Sequence, residues 1–150
     1  MGGLGPGTSN VNVVPGQTIA VAATVGIGQW SDGNTTTDVS VYNAHGTTQL
    51  IVDVTGYHMG NDAAPGGTFH PQTPMRVLDT RAHGFTAISG GHYEWVDLSI
   101  PQTTAVAVNI TVTAPTRAGF VAVWPGSGAN APATSTVTSA RGRRSRTWPW

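Results

Sequence analysis

The stretch Thr104-Ala-Val106-Ala-Val108-Asn-Ile110-Thr-Val112-Thr113 decides the fold class. Val106, Val108, Ile110 and Val112 recur at every second position, with Ala107, Asn109 and Thr111 between them. Successive side chains of a strand point to opposite faces, so this is the period of a half-buried β-strand. Thr48 to Tyr57 repeats it, with Leu50, Val52 and Val54 set against Ile51, Asp53 and Thr55. Val39 and Val41 lead into Asn43-Ala44-His45-Gly46, whose residues tolerate turn dihedrals, which predicts a β-hairpin over 38–54. Shorter strands are expected at 9–14, 18–25, 75–79, 92–100 and 119–124. No window carries the i, i+3, i+4, i+7 spacing of an amphipathic helix. Turn residues return about every ten positions, the rhythm of an all-β, antiparallel β-sandwich or jelly-roll-like domain.

Composition narrows the function classes. The 150 residues suit one domain that buries roughly two thirds of its unfolded surface. Hydrophobic residues make up 39% and charged ones only 9%, which is not the balance of a disordered chain. The formal net charge is zero, so no global field draws in nucleic acid or an anionic membrane. Arg141, Arg143, Arg144 and Arg146 crowd the last ten residues and read as an accidental, solvated tail rather than a nucleic-acid arm. There is no Lys, and Ala and Gly are plentiful, as in a GC-rich gene. Cys is absent, which excludes a disulfide scaffold and a Cys zinc site. No apolar run approaches the ~20 residues of a membrane-spanning helix. The first residues lack the basic and apolar regions of a signal peptide, so the signal of an exported parent protein would lie outside this chain.

Internal similarity is the most informative feature. Pro6-Gly-Thr8-Ser9-Asn10-Val11-Asn12 is echoed by Pro132-Ala-Thr134-Ser135-Thr136-Val137-Thr138, an offset of 126 residues. The chain therefore reads as slightly more than one repeat, entered in the middle of one copy and left in the middle of the next. Residues 59–68 have linker composition and mark the expected junction. After Ser139 the first copy predicts Gly-Gln-Thr-Ile-Ala, as at Gly16 to Ala20, but the chain gives Arg141-Gly-Arg-Arg-Ser-Arg-Thr-Trp-Pro-Trp150. Back-translated with GC-rich codons and read in another frame, that tail becomes Gly-Gln-Thr-Val-Ala. Residues 140–150 are accordingly expected to be a frameshifted reading of the next copy, as in a random environmental DNA fragment.

Pro74-Met-Arg76-Val-Leu-Asp79-Thr80-Arg81, Gly119-Phe120, Trp124-Pro125, Thr8-Ser9-Asn10-Val-Asn12, Gly16-Gln17-Thr18, Val39-Ser-Val-Tyr42-Asn43 and Leu50-Ile-Val-Asp53-Val-Thr-Gly56-Tyr57 follow one another cyclically. Read from Phe69 to Ser139 and then from Gly5 to Tyr57, they resemble a tandem repeat carried by large secreted proteins of actinobacteria and related high-GC bacteria, often beside cell-wall hydrolase domains. The resemblance implies an extracellular or cell-surface location and a binding or spacing role, and it brings no catalytic residues with it. It also implies one β domain, permuted relative to the natural repeat, built from 5–58 of one copy and 69–139 of the next. Closure within the chain is expected, because domain termini often lie close together; completion by a neighbouring molecule, giving a homo-oligomer, is the alternative.

Aromatic side chains are the first candidates for a ligand site, because rings at loop ends can stack on sugars. Trp30 lies in the long loop before Val39, Trp124 precedes Pro125-Gly126, and Tyr57 ends a strand; Trp95, inside a strand, is expected in the core. Asp32, Asn34 and Asp38 offer oxygen ligands in one loop, a set open to Ca²⁺ but without the full EF-hand frame; no other cofactor is expected. Arg76, Asp79 and Arg81 are expected to be structural, pairing carboxylates and strand-end carbonyls. His45, His58, His70, His83 and His92 are scattered, there is no G-x-S-x-G elbow, and Glu94 is the sole Glu. A non-catalytic module binding cell-wall or other polysaccharide is the leading expectation. A self-associating spacer or adhesin repeat comes second, and a small hydrolase with an unrecognised Ser/His/Asp or metal site third.

Overall fold

The computed structural model describes residues 6–29, 37–60, 68–100 and 102–126. The Arg-rich tail and the second copy of the echo lie outside the described residues. Strands β1 (Val11–Val13), β2 (Thr18–Gly26), β3 (Gly28–Gln29), β4 (Thr37–Asn43) and β5 (Thr47–Met59) precede the expected junction. Strands β6 (Thr68–Asp79), β7 (Ile88–Ser89), β8 (His92–Asp97), β9 (Thr103–Thr113) and β10 (Gly119–Pro125) follow it. No helix occurs among the described residues.

The strands form two antiparallel sheets packed face to face, a β-sandwich. In the first sheet β10 lies between β1 and β4, β8 pairs the other edge of β4, and β3 pairs the start of β4. In the second the order is β2-β9-β5-β6, with β7 added to the start of β5. Most consecutive strands change sheet, the wrapped arrangement of a jelly roll. Every ladder except β3–β4 joins a strand before the junction to one after it. The two segments interleave within one chain, and neither has a sheet of its own.

The alternating pattern of β9 explains its central place. Val106, Val108, Ile110 and Val112 are buried against the first sheet, with β2 on one side and β5 on the other. Leu50, Val52 and Val54 of β5 are fully buried on the same face, and Val39, Val41, Val121, Val123 and Val96 oppose them. Burial of each such side chain stabilises by roughly 1.5–3 kcal/mol relative to exposure. The core cluster is wholly aliphatic: Val, Leu and Ile occupy it, and no aromatic ring does, among the described residues.

The hairpin expected over 38–54 does not form. β4 and β5 belong to opposite sheets, so Asn43 to Gly46 is a corner between layers. Asn43 Nδ2 donates to the Gly46 and Ile88 carbonyls at 3.2 and 2.9 Å, and Gly46 supplies the left-handed φ of +65°. Two alternating strands around a short turn look alike whether they pair or cross between sheets. A hairpin does occur where a linker was expected, since Met59 pairs with Thr68 across the β5–β6 connection. β6 carries Pro71 and Pro74, which suit an edge strand, and its ladder with β5 has two register shifts.

Ile110→Ala is expected to cost about 2–5 kcal/mol, read as a lower urea midpoint at unchanged slope. An unchanged midpoint would contradict the core position of β9.

Candidate functional site: an aromatic sheet face

Because Val39, Val41, Val96, Val121 and Val123 point into the core, the alternate positions of β4, β8 and β10 point outward. Register aligns them in rows. Ala122, Tyr42 and Tyr93 form one row, and Trp124, Ser40 and Trp95 the next. Phe120 extends the set along β10. The rings touch as a continuous cluster: Tyr42 lies 6.1 Å from Phe120 and 6.4 Å from Trp124, and Tyr93 lies 5.6 Å from Trp95 and 6.1 Å from Trp124, centroid to centroid. Interplanar angles of 43–62° make these tilted or edge-on contacts, the favourable geometry for ring quadrupoles. Ala122 and Ser40 are buried among the rings, whereas Tyr93 and Trp95 remain 50% and 55% exposed on strand β8. At one end of the face Asp38 stands opposite Asp97, whose Oδ1 accepts hydrogen bonds from the Ser99 amide and hydroxyl at 2.9 and 3.1 Å.

The outer face of the second sheet is chemically different. Ala107, Asn109, Thr111 and Thr113 of β9 lie beside Thr24, Ala22, Ala20 and Thr18 of β2, small or polar throughout. The β2–β9 strip is thus bland, whereas the β5–β6 side of the same face carries Ile51, the Asp53–Arg76 pair and a His58–Phe69 ring contact at 5.0 Å.

The residues singled out from sequence fall in different places. Trp124 belongs to the cluster but is only 7% exposed, so it forms the base of the face and is not an open ring at a loop end. Trp95, expected in the core, is instead the most exposed ring of the cluster. His92-Tyr-Glu-Trp-Val-Asp97 alternates two aromatics with Glu94 and Val96, and period alone does not say which set faces in. Pairing of Val96 with the buried Val39 decides it. Tyr57 is remote from this face; it lies on the other sheet, level with the inward-facing Val106 and stacked on His70 at 5.3 Å and 16°. Trp30, Asp32 and Asn34 lie outside the described residues. Asp38 is no loop residue: it sits buried within β4, where a Cβ at Gly126 would run into its carboxylate. No group of three His, Cys, Asp or Glu side chains able to hold a metal occurs among the described residues.

Arg76, Asp79 and Arg81 form a connected network at the end of β6. Arg76 Nε donates to Asp53 Oδ1 at 2.9 Å and Nη1 to Asp79 Oδ2 at 3.2 Å. Arg81 grips Asp79 with two hydrogen bonds, Nε to Oδ1 at 2.9 Å and Nη2 to Oδ2 at 2.8 Å. Between them the buried Thr80 accepts from the Leu50 amide at 2.8 Å and donates its own amide to the Leu50 carbonyl at 2.9 Å. The motif fastens the end of β6 to the middle of β5.

The Arg81 guanidinium, with the Arg81 amide and the nearby charge of Arg76, holds the Asp79 carboxyl well below the usual carboxylate range. A carboxyl with a lowered folded-state pKa stabilises fully above its unfolded value and loses that contribution as pH falls. Asp79→Asn should therefore lower the Tm at neutral pH by a few degrees, and the gap to the parent chain should close as pH falls from about 4 towards 2. A gap that stays constant in thermal scans over that window would mean the charge of Asp79 holds nothing. No protein-family model, no curated protein and no solved structure matches the chain in comparisons with each.

Proposed function

We propose that this chain is a glycan-binding module of a secreted or cell-surface protein, and that it holds polysaccharide on the aromatic face of its first sheet. One observation carries the reading. Large rings normally supply much of a core, yet here the described core is purely aliphatic and Tyr42, Tyr93, Trp95, Phe120 and Trp124 gather on one outward face. Pyranose rings present apolar C–H faces that stack on aromatic side chains, and the hydroxyls around their rims suit polar residues at the edges of such a face. Zero net charge favours a neutral or weakly charged glycan over a polyanion. The resemblance of the sequence motifs to repeats of actinobacterial wall-associated proteins points to cell-wall polysaccharide as the ligand class. Compared with the expectation from sequence, the binding residues shift from loop tips to the strands: Tyr93 and Trp95 present the accessible rings, and Trp124 and Tyr42 hold them.

A second reading, a spacer that self-associates, draws on β2. Its nine residues Thr18–Gly26 carry no charge and no proline, and β2 pairs only β9 among the described residues. Such an edge is open to strand addition by another copy.

Co-sedimentation with insoluble peptidoglycan, chitin and cellulose distinguishes the two. Trp95→Ala should weaken saturable retention about tenfold, the scale of one lost stacking contact, with the Tm changed by no more than about 2 °C because the ring is half exposed. Trp124→Ala should lower the Tm as well. Absence of retention together with concentration-dependent association would favour the spacer, and soluble sugar released into the supernatant would favour catalysis.

A further inference from the structure

The rings of the aromatic face do not share a plane. Tyr42 is inclined at 43° to Phe120 and at 56° to Trp124, and Tyr93 at 57° to Trp95 and at 62° to Trp124. Nor are they equally open. Tyr93 and Trp95 are 50% and 55% exposed, whereas Tyr42 and Phe120 are half-buried and Trp124 is buried. Both open rings stand on β8, two residues apart, and β8 pairs only β4 among the described residues. The accessible surface is therefore a short track along one edge strand, with two rings set at an angle.

That shape selects among glycans. A sugar stacks by laying an apolar C–H face on a ring, so each ring accepts a sugar parallel to its own plane. The exposed sugars of a crystalline polysaccharide all lie in one flat sheet. A flat sheet resting on Trp95 meets Tyr93 turned away by 57° and loses one of the two contacts. A single chain in solution rotates about its glycosidic bonds, so neighbouring sugars can tilt to follow two rings whose centroids are 5.6 Å apart. Fixing those bonds costs conformational entropy, which the second stacking contact offsets. Hydrogen bonding acts in the same direction. Asp97 continues the outward positions of β8 beyond Tyr93 and Trp95, and it is exposed. Its Oδ1 accepts from the Ser99 amide and hydroxyl at 2.9 and 3.1 Å, which anchors the carboxylate at the end of the track. A carboxylate accepts hydrogen bonds from sugar hydroxyls. The rim hydroxyls of a free chain are available to it, whereas those within a crystal are engaged with neighbouring chains.

We propose that the aromatic face takes single, conformationally free glycan chains and discriminates against the flat faces of crystalline polysaccharide. Tyr93 and Trp95 stack on neighbouring sugars of one chain, and Asp97 accepts from a hydroxyl where the chain leaves the rings. Tyr42, Phe120 and Trp124 hold the two open rings at their angle.

This selectivity rests on the glycan-binding reading, and one experiment separates the two. The full chain is sedimented with crystalline cellulose and chitin, with the amorphous form of each, and with peptidoglycan, with and without the matching soluble oligosaccharide. Retention should fall on an amorphous polymer or on peptidoglycan, about tenfold above the crystalline forms per unit of accessible surface, and the soluble oligosaccharide should displace it. Tyr93→Ala and Trp95→Ala should each lower the affinity for that oligosaccharide about tenfold, and Tyr93→Phe, which keeps the ring, should leave it unchanged. Crystalline polymer retained as well as amorphous, or retention that the soluble oligosaccharide does not displace, would overturn the selectivity and leave glycan binding intact. A Tyr93→Ala chain of full affinity would overturn the two-ring track. No retention on any of the five solids would overturn both readings.

Discussion

The inward alternation of Val and Ile on β9 is the constraint from which the rest follows. β9 pairs along its length with β2 on one edge and β5 on the other, and its four inward side chains are almost wholly removed from water. Because side chains alternate strictly, a one-residue slip would expose all four and bury Ala107, Asn109 and Thr111 in their place. That penalty locks the register of β9, and the register of β9 in turn sets β2 and β5, strands from the other half of the chain. Hydrophobic burial in this molecule is therefore also what joins its two segments.

A core built from one shape of side chain has consequences on the surface. Val, Ile and Leu fill the space between the sheets, so the large rings cannot be accommodated there without displacing well-packed aliphatic groups. Tyr42, Tyr93, Trp95, Phe120 and Trp124 collect on the outside of the first sheet, where mutual ring contacts partly shelter them. The other sheet turns Thr, Ala and Asn outward along β2 and β9 and carries a single His58–Phe69 contact on the outside of its β5–β6 side, among the described residues. The continuous five-ring cluster on the first sheet supports the glycan-binding reading, since a polysaccharide needs a surface along which it can lie.

The charged residues serve the same architecture at its weakest point. β6 is an edge strand with two prolines and two register shifts, and it lacks the unbroken ladder that β9 makes with β2. The Arg76–Asp79–Arg81 network and the Thr80 hydrogen bonds to Leu50 stand where its regular pairing ends. Exposed ion pairs contribute little individually, but two hydrogen bonds from one guanidinium to one carboxylate fix an angle, and a strand end needs direction.

Much of the fold was legible locally. Period-two burial in β9 and β5, the strand content and the all-β sandwich are consequences of side-chain alternation, which any extended chain must obey. The pairing of strands was not, because Asn43 to Gly46 turns equally well into a hairpin or into a corner between sheets. Only competition among long-range ladders chose the corner. The site followed the same division: that Tyr93 and Trp95 share a face is local geometry, but which face meets water depends on Val96 meeting Val39 across a ladder between residues more than fifty positions apart. The sequence by itself determined which residues alternate; the tertiary structure decided which side of each alternation is the inside, because that side is defined only by what the other sheet brings to it.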